Sequence, residues 1–391
     1  MTISRYSPAM LFRPILAILA ACALFACSEA EGGTAEAVAF QQQIEEGSGQ
    51  KLSAGPSMEE IALDAELFAL LNRFDGYVGV AVHDVDRHRT ANYNGDDLVP
   101  QQSVSKLWVA LAALQQVDAG KLDLGQAAQV GFRDLTLFHQ PVRQFVVANG
   151  AYRTDYADLM ARAIIESDNT ANDMLLNRVG GPDAVRAAIA RSGLGTIRFG
   201  PGERKMQSAI AGLSWHQSYA VGRNFHHARA QVPEMERRIA FDAYVTDPVD
   251  GASPRAIALA LGRLARGELL EAPTAAHLLT LLERVRSGPN RLRGGVPEGW
   301  SIGHKTGTGQ VLGYEQAGYN DVGILTAPGG SRYSSAVMIG RTAVPVPQRM
   351  ELMHAVVRAV VRYHYAALGQ PVPQGLLPAP EPEPEPLLPA P

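Results

Sequence analysis

The chain has two cysteines, Cys22 and Cys27, both close to its N-terminus. Cleavage before Cys27 would remove Cys22 and leave one thiol, so an internal disulfide framework is excluded. A basic block is also missing. The formal net charge is −4, from 35 Lys and Arg against 39 Asp and Glu, and nothing resembles an electrostatic footprint for nucleic acid. The apolar run "PILAILAACALFA", Pro14 to Ala26, falls short of the roughly 20 residues that a membrane-spanning helix needs. No internal repeat is visible, which sets aside solenoids and propellers. What remains is ordinary globular composition, 46% apolar and 19% charged, long enough for one large domain or two small ones.

The two ends read as processing and linker sequence. Arg5 and Arg13 precede the short apolar run, the arrangement of a signal-peptide core. The run ends in "LFAC", with Leu24 three positions before Cys27. This resembles a bacterial lipobox, although Phe25 is bulkier than usual at its position, and ordinary signal cleavage is the plainer alternative. The lipobox reading makes Cys27 the acylated residue and predicts export to the periplasm with a lipid anchor in the membrane. Residues 28–57 are rich in Gly, Ser, Ala, Glu and Gln and predict a flexible tether. Residues 367–391 carry nearly alternating proline, which supports neither helix nor sheet ladders. The folded part is thus expected at 58–366.

Within that part, "MEEIALDAELFALLNRF" has helical apolar spacing, "YVGVAVHDV" alternates like a strand, and "TANYN" offers a hairpin partner. The stretch Gln101 to Lys121 reads as a helix that is apolar on nearly every side. A mostly helical region follows from Leu122 to about Gly288, with Pro182 and Pro254 at first-turn positions. Strand patterns return at "SIGHKTGTG", "DVGILTA" and "YSSAVMIGRT", and a last helix spans "PQRMELMHAVVRAVVRYHYAAL". Strands from both ends of the chain then form one antiparallel sheet flanked by helices, with a helical subdomain beside it: an α+β fold.

The chemistry begins at the apolar helix. Ser103 and Lys106 lie one turn apart at its start, and residues i and i+3 share a helix face. A serine hydroxyl needs a base to become a nucleophile, and burial lowers a lysine pKa into a useful range. The free N–H groups of that first turn favour a developing oxyanion. Ser-x-x-Lys alone is common; a second copy, Ser48 to Lys51, falls in the tether. Two further motifs accompany this one. Ser167-Asp168-Asn169 follows an apolar helix, where it could equally be a helix cap. Lys305-Thr306-Gly307 lies on a predicted strand. Together and in this order, the three form the set found in class A β-lactamases and penicillin-binding proteins.

Residues 58–366 accordingly resemble a class A serine β-lactamase, of the penicillin-recognising serine hydrolase group. The resemblance extends through "SDNTANDMLLNRVGGPDAVRAAIARSG" and "NRLRGGVPEGWSIGHKTG". It implies the family fold and a role for each matching residue. Ser103 would be acylated, Lys106 would take or relay its proton, and Ser167 would protonate the departing lactam nitrogen. Asn169 would bind the substrate's side-chain amide. Lys305 and Thr306 would hold the substrate carboxylate, and the backbone N–H groups of Ser103 and Thr308 would form the oxyanion hole. Gly307 would let the strand pass close to the ligand. The family also needs a glutamate, usually in E-x-x-L-N, to activate the deacylating water. Here Glu203-Arg204-Lys205-Met206-Gln207 keeps that pattern loosely; the common alternative is a solvated loop carboxylate. No cofactor, no metal and a monomeric state are implied.

The departures are equally specific. About residues 208–243 form an insertion relative to the family, next to Glu203, where it could reshape substrate access. His216, His226 and His227 lie in it, without a second ligand pair at metal spacing. No arginine occupies "GQVLGYEQAGYNDVG", where the family commonly has one to help Lys305; Arg341 and Arg349 are the candidates that remain. Two functional classes stay open: an enzyme that opens β-lactams (or a relative cleaving a peptidoglycan peptide or an ester), and a binding protein that is acylated and then stalls. A working Glu203 separates them.

Overall fold

A computed structural model of the chain describes residues 55–373. The signal segment, Cys27, most of the tether and most of the proline-rich tail lie outside the described residues.

The first helix, α1 (Met58–Leu71), is nucleated by a capping box in which the Ser57 hydroxyl accepts from the Glu60 N–H and the Glu60 carboxylate accepts from the Ser57 N–H. Strands β1 (Tyr77–Asp84) and β2 (Arg89–Tyr93) form the expected hairpin. After the central region come β3 (Ser301–Thr308), β4 (Val311–Leu312), β5 (Glu315–Thr326) and β6 (Arg332–Thr342). They close one antiparallel sheet in the order β2-β1-β6-β5-β3, with β4 paired to β5. Almost every residue of β1, β5 and β6 is buried, because helices cover both faces of the sheet. On one face α1 and the long C-terminal helix Val346–Ala367 pack around Leu67, Val337 and Met353. On the other lies the main core, which includes the helix α2 (Lys106–Asp118). Its residues Leu107 to Leu114 are all buried, as a helix that is apolar all round must be.

Two details differ from the sequence expectation. The chain enters α2 through a tight 3-10 turn, Gln102–Ser105, so the α-helix proper starts at Lys106. The region after Leu122 also holds a small hairpin, Ala127–Gly131 with Ala151–Asp155, which its mixed polar sequence does not announce. The proline positions stand as expected, with helices Gly181–Arg191 and Pro254–Ala265 each carrying proline in the first turn.

Candidate active site

Four segments meet at one cavity of about 420 Å³, lined by Ser103, Ser167, Asn169, Glu203, Thr306 and Thr308 among others. The turn that carries Ser103 is unusual. Gln102 has φ 55°, a left-handed conformation that costs a non-glycine residue on the order of 1 kcal/mol or more. It is held there by its own groups: its N–H donates to Asp250 Oδ2 at 2.7 Å, and its side-chain amide donates to the Tyr244 hydroxyl at 2.6 Å. The Gln207 amide in turn donates to Gln102 Oε1 at 2.8 Å. Strand β3 presses against this turn from behind. A Cβ on Gly307 would sit 2.2 Å from the Gln101 carbonyl oxygen, so the glycine permits the close approach of strand to nucleophile turn.

Lys106 is 1% exposed. Its ammonium donates to Ser103 Oγ at 2.7 Å and to Asn169 Oδ1 at 2.8 Å. Burial holds its pKa below the ordinary lysine value, while Glu203, Asp173 and Asp168 pull the other way. Lys305 is fully buried and donates to Ser167 Oγ at 2.9 Å. Burial pushes its pKa well down, and Lys106 and Arg291 add to the shift. The site therefore contains two serine hydroxyls, each touching the nitrogen of a buried lysine.

Ser167 reaches its position through a left-handed residue at φ 61°. It ends the π-helical turn Arg162–Glu166, and the helix α3 (Asn169–Arg178) starts immediately afterwards. The capping role falls to Asp168, whose Oδ1 accepts from Ala171 N–H and whose Oδ2 accepts from Val142 N–H. This frees the Ser167 side chain for Lys305. Asn169 is fully engaged as a donor: its amide donates to the Leu137 carbonyl and to Glu203 Oε1, both at 2.9 Å. Only the second lone pair of its Oδ1 is left to meet a ligand N–H.

Glu203 is the first residue of the helix α4 (Glu203–Ile210) and is 8% exposed, so it is not a solvated loop carboxylate. Its backbone N–H donates to Asp173 Oδ1 at 3.3 Å. Asp173 is itself buried, and burial together with Glu203 pushes its carboxyl up to about 7. The chain from Ser103 Oγ through Lys106 and Asn169 to Glu203 is thus continuous in hydrogen bonds.

The inserted segment forms two further helices, α5 (Asn224–Gln231) and α6 (Glu234–Thr246). It supports Glu203 instead of displacing it. Met206 and Ile210 of α4 share a small core with Phe241, Tyr244 and Val245 of α6. On the sheet side, Arg238 and Arg341 share Glu315, and Arg341 also pairs with Asp242. Arg341 is therefore spent on this brace. Arg349 is spent as well, on Gln316 Oε1 and the Val344 carbonyl. A further cation, which the sequence reading missed, lies beside the site. Arg291 donates to Thr308 Oγ1 at 2.5 Å and to the Gly307 and Asn320 carbonyls, with its guanidinium 3.8 Å from the Tyr319 ring centroid. It comes from the segment before β3, outside the stretch 309–323 where the resemblance puts such an arginine. Of the insertion's histidines, His216 bonds Ser218, and His226 packs against Phe138 and Phe225. Among the described residues no group of three His, Cys, Asp or Glu is placed to hold a metal ion.

With this geometry in hand, comparison with known proteins gives one answer. The β-lactamase enzyme family matches residues 62–364. The β-lactamase VEB-1 of Pseudomonas aeruginosa is 25% identical over 266 residues, 68% of this chain and 78% of its own. The β-lactamase CTX-M-8 of Citrobacter amalonaticus is 28% identical over 264 residues, 68% and 76% of the two chains. Among solved structures, a β-lactamase from Chitinophaga pinensis superposes with a TM-score of 0.63 at 26% identity, over 78% of this chain and 99% of its own. An ancestral class A β-lactamase does so at 0.61 and 29% identity, over 77% and 99%. The chain belongs to the β-lactamase enzyme family, as a class A serine β-lactamase.

Proposed function

We propose that this protein hydrolyses β-lactams through an ester on Ser103. The observation that carries the reading is the buried Lys106 nitrogen, 2.7 Å from Ser103 Oγ and linked through Asn169 to Glu203. In its neutral form, which burial favours, Lys106 accepts the Ser103 proton as Oγ attacks the lactam carbonyl carbon. The oxyanion is received by the backbone N–H groups of Ser103 and Thr308. The C–N bond then breaks, and the nitrogen takes a proton from Ser167, whose hydroxyl is replenished from the side of Lys305 and Lys106. Lys305, Thr306 and Arg291 supply the positive end for the substrate's ring carboxylate, and Asn169 Oδ1 receives its side-chain amide N–H.

Deacylation consumes one water. Glu203 takes a proton from it as the oxygen attacks the ester carbonyl, and that proton is passed on to Ser103 Oγ as the ester C–O bond breaks, which restores both groups. The product is the ring-opened amino acid. The relatives' names support the substrate class, and the family supports the order of steps. We further propose that the protein is exported, acylated at Cys27 and tethered to the periplasmic face of a membrane as a monomer, on the strength of "LFAC" and the residues around it.

The test is intact-mass analysis during turnover of a chromogenic cephalosporin. Wild type should turn over with little adduct, and Ser103→Ala should show neither adduct nor turnover. Glu203→Gln should accumulate one drug mass per chain, with hydrolysis slowed by about 10²–10⁴, the contribution of a placed general base. Labelling that survives Ser103→Ala would refute the nucleophile. Equal steady-state rates for Glu203→Gln and wild type would refute the deacylation role.

A further inference from the structure

The inserted segment contributes one charged side chain to the reacting cavity. Arg229, on α5, lines the same cavity as Ser103, at the end formed by Gly309, Gln310 and Val311. Its guanidinium donates to the Val311 carbonyl, which fixes it at the edge of β4. Several half-buried arginines of the domain are spent on carboxylates, Arg162 on Asp158 and Glu166, Arg238 and Arg341 on Glu315, and Arg293 and Arg349 each hold more than one neutral acceptor. Among the described residues Arg229 makes no ion pair, and its head group bonds only the Val311 carbonyl. Burial and the neighbouring Arg237 both disfavour its charge. A half-buried guanidinium with no counter-ion is suited to a carboxylate or sulfonate, which it can grip through two N–H groups.

Its position says which part of a substrate it would meet. Lys305, Thr306 and Thr308 occupy one end of the strand edge, where the ring carboxylate is received in the reading above. Val311 lies three residues beyond Thr308, about 10 Å of extended chain. Asn169 lines the same cavity and receives the side-chain amide in the reading above. A β-lactam seated this way directs its acyl side chain toward Gly309–Val311 and Arg229. The ring carboxylate and any side-chain anion are then read by different cations.

We propose that Arg229 is a specificity residue that binds an anionic group on the acyl side chain, so that the enzyme favours β-lactams with negatively charged side chains. The proposal rests on the β-lactamase reading of the same site.

The experiment uses two cephalosporins alike except for the oxyimino substituent, a methyl ether in one and a carboxyalkyl ether in the other. The readout is the ratio of their kcat/KM values, anionic over neutral. Arg229→Gln keeps a donor for the Val311 carbonyl and removes the charge; it should lower the ratio about tenfold, mainly through KM. Arg229→Glu should lower it further. For wild type, raising ionic strength from about 0.05 to about 0.5 M should shrink the ratio, and for Arg229→Gln it should not. A ratio unchanged in Arg229→Gln, with both substrates slowed equally, would make Arg229 a brace for β4 and overturn the proposal alone. Absence of both acylation and turnover with either substrate in wild type would overturn the enzyme reading and this proposal with it.

Discussion

The cavity wall that carries Ser103, Lys106, Ser167 and Lys305 and the wall that carries Glu203, Gln207 and Arg229 are held in different ways. The first is an assembly of buried charge. Two lysines, each under 2% exposed, sit against serine hydroxyls and share the field of Asp168, Asp173 and Asp321. Removing a charge there changes the chemistry directly, because the groups touch one another. The second wall is an assembly of packing and amides. Met206 and Ile210 rest on the inserted helix α6, and Gln207 links Gln310 to Gln102. The contact that joins the reacting groups of the two walls is the Asn169 amide, which bonds Lys106 on one side and Glu203 on the other. The first wall therefore tolerates almost no change of residue type. The second is built on the helices α5 and α6, whose packing fixes where Glu203 stands.

Lys106→Met is the sharpest way to break the first wall. It keeps the volume and removes the base. Acylation of Ser103 should slow by about 10²–10⁴, followed by quenched-flow mass analysis. The variant should stay folded, because the buried nitrogen and its desolvation cost leave together, although Asn169 Oδ1 loses a donor. On the second wall Gln207→Glu, of equal size, should cost far less in acylation. Comparable losses at both positions would erase the distinction between the walls.

The same division explains what the sequence could reveal. Ser103, Lys106, Ser167, Asn169 and Lys305 are legible because their chemistry fixes residue type and spacing within short motifs; Ser103, Ser167 and Asn169 line the cavity, and the two lysines bond the serines from behind it. Glu203 is readable only loosely: Met206 and Gln207 depart from the usual pattern because they answer to α6 and to Gln102, which lie far away in sequence. Arg291 was missed because a guanidinium reaches Thr308 from a neighbouring segment as easily as from the strand beside it, and no local pattern records that choice. The sheet was legible from alternation and from apolar runs, yet the first half of β5, "EQAGYN", was not. Its Gln316 and Asn320 are buried by hydrogen bonds to Gly309 and to the Pro100 and Gln101 carbonyls, a tertiary reason that composition does not carry.

Asp173 sharpens the comparison through stability. It stands behind Glu203 with its carboxyl pushed up to about 7. A group whose folded pKa lies above its unfolded value holds its proton longer in the native state. Its contribution is full below about pH 4, the unfolded carboxylate range, and is lost as pH rises through about 7. Asp173→Asn keeps an acceptor for the Glu203 N–H and cannot ionise. The variant's stability relative to wild type should therefore grow between about pH 4 and 8, by roughly 2–4 kcal/mol. Denaturant melts at several pH values read this directly. A pH-independent difference would mean that Asp173 titrates normally, and that the second wall carries no hidden charge.

Tyr244 offers the finest cut, because it lies on α6, at the end of the expected insertion, and touches the nucleophile turn. Its hydroxyl accepts from the Gln102 amide at 2.6 Å and donates to Asp250 Oδ1 at 3.0 Å. The other oxygen of Asp250 holds the Gln102 N–H. Burial and Asp250 push the phenol's pKa well above its ordinary value, so the hydroxyl keeps its proton and can serve both partners. Tyr244→Phe leaves the ring packing intact and strips a partner from each of two buried polar groups, at a cost of about 1–3 kcal/mol. The left-handed turn at Gln102 retains the Asp250 carboxylate and loses part of its side-chain brace. If that brace positions the Ser103 N–H in the oxyanion hole, kcat should fall about three- to tenfold while KM changes little. A structural role alone would lower the denaturation midpoint and leave kcat at the wild-type value, provided the assay temperature lies well below the transition. The kcat–KM split therefore decides whether the insertion merely shelters the second wall or also tensions the first.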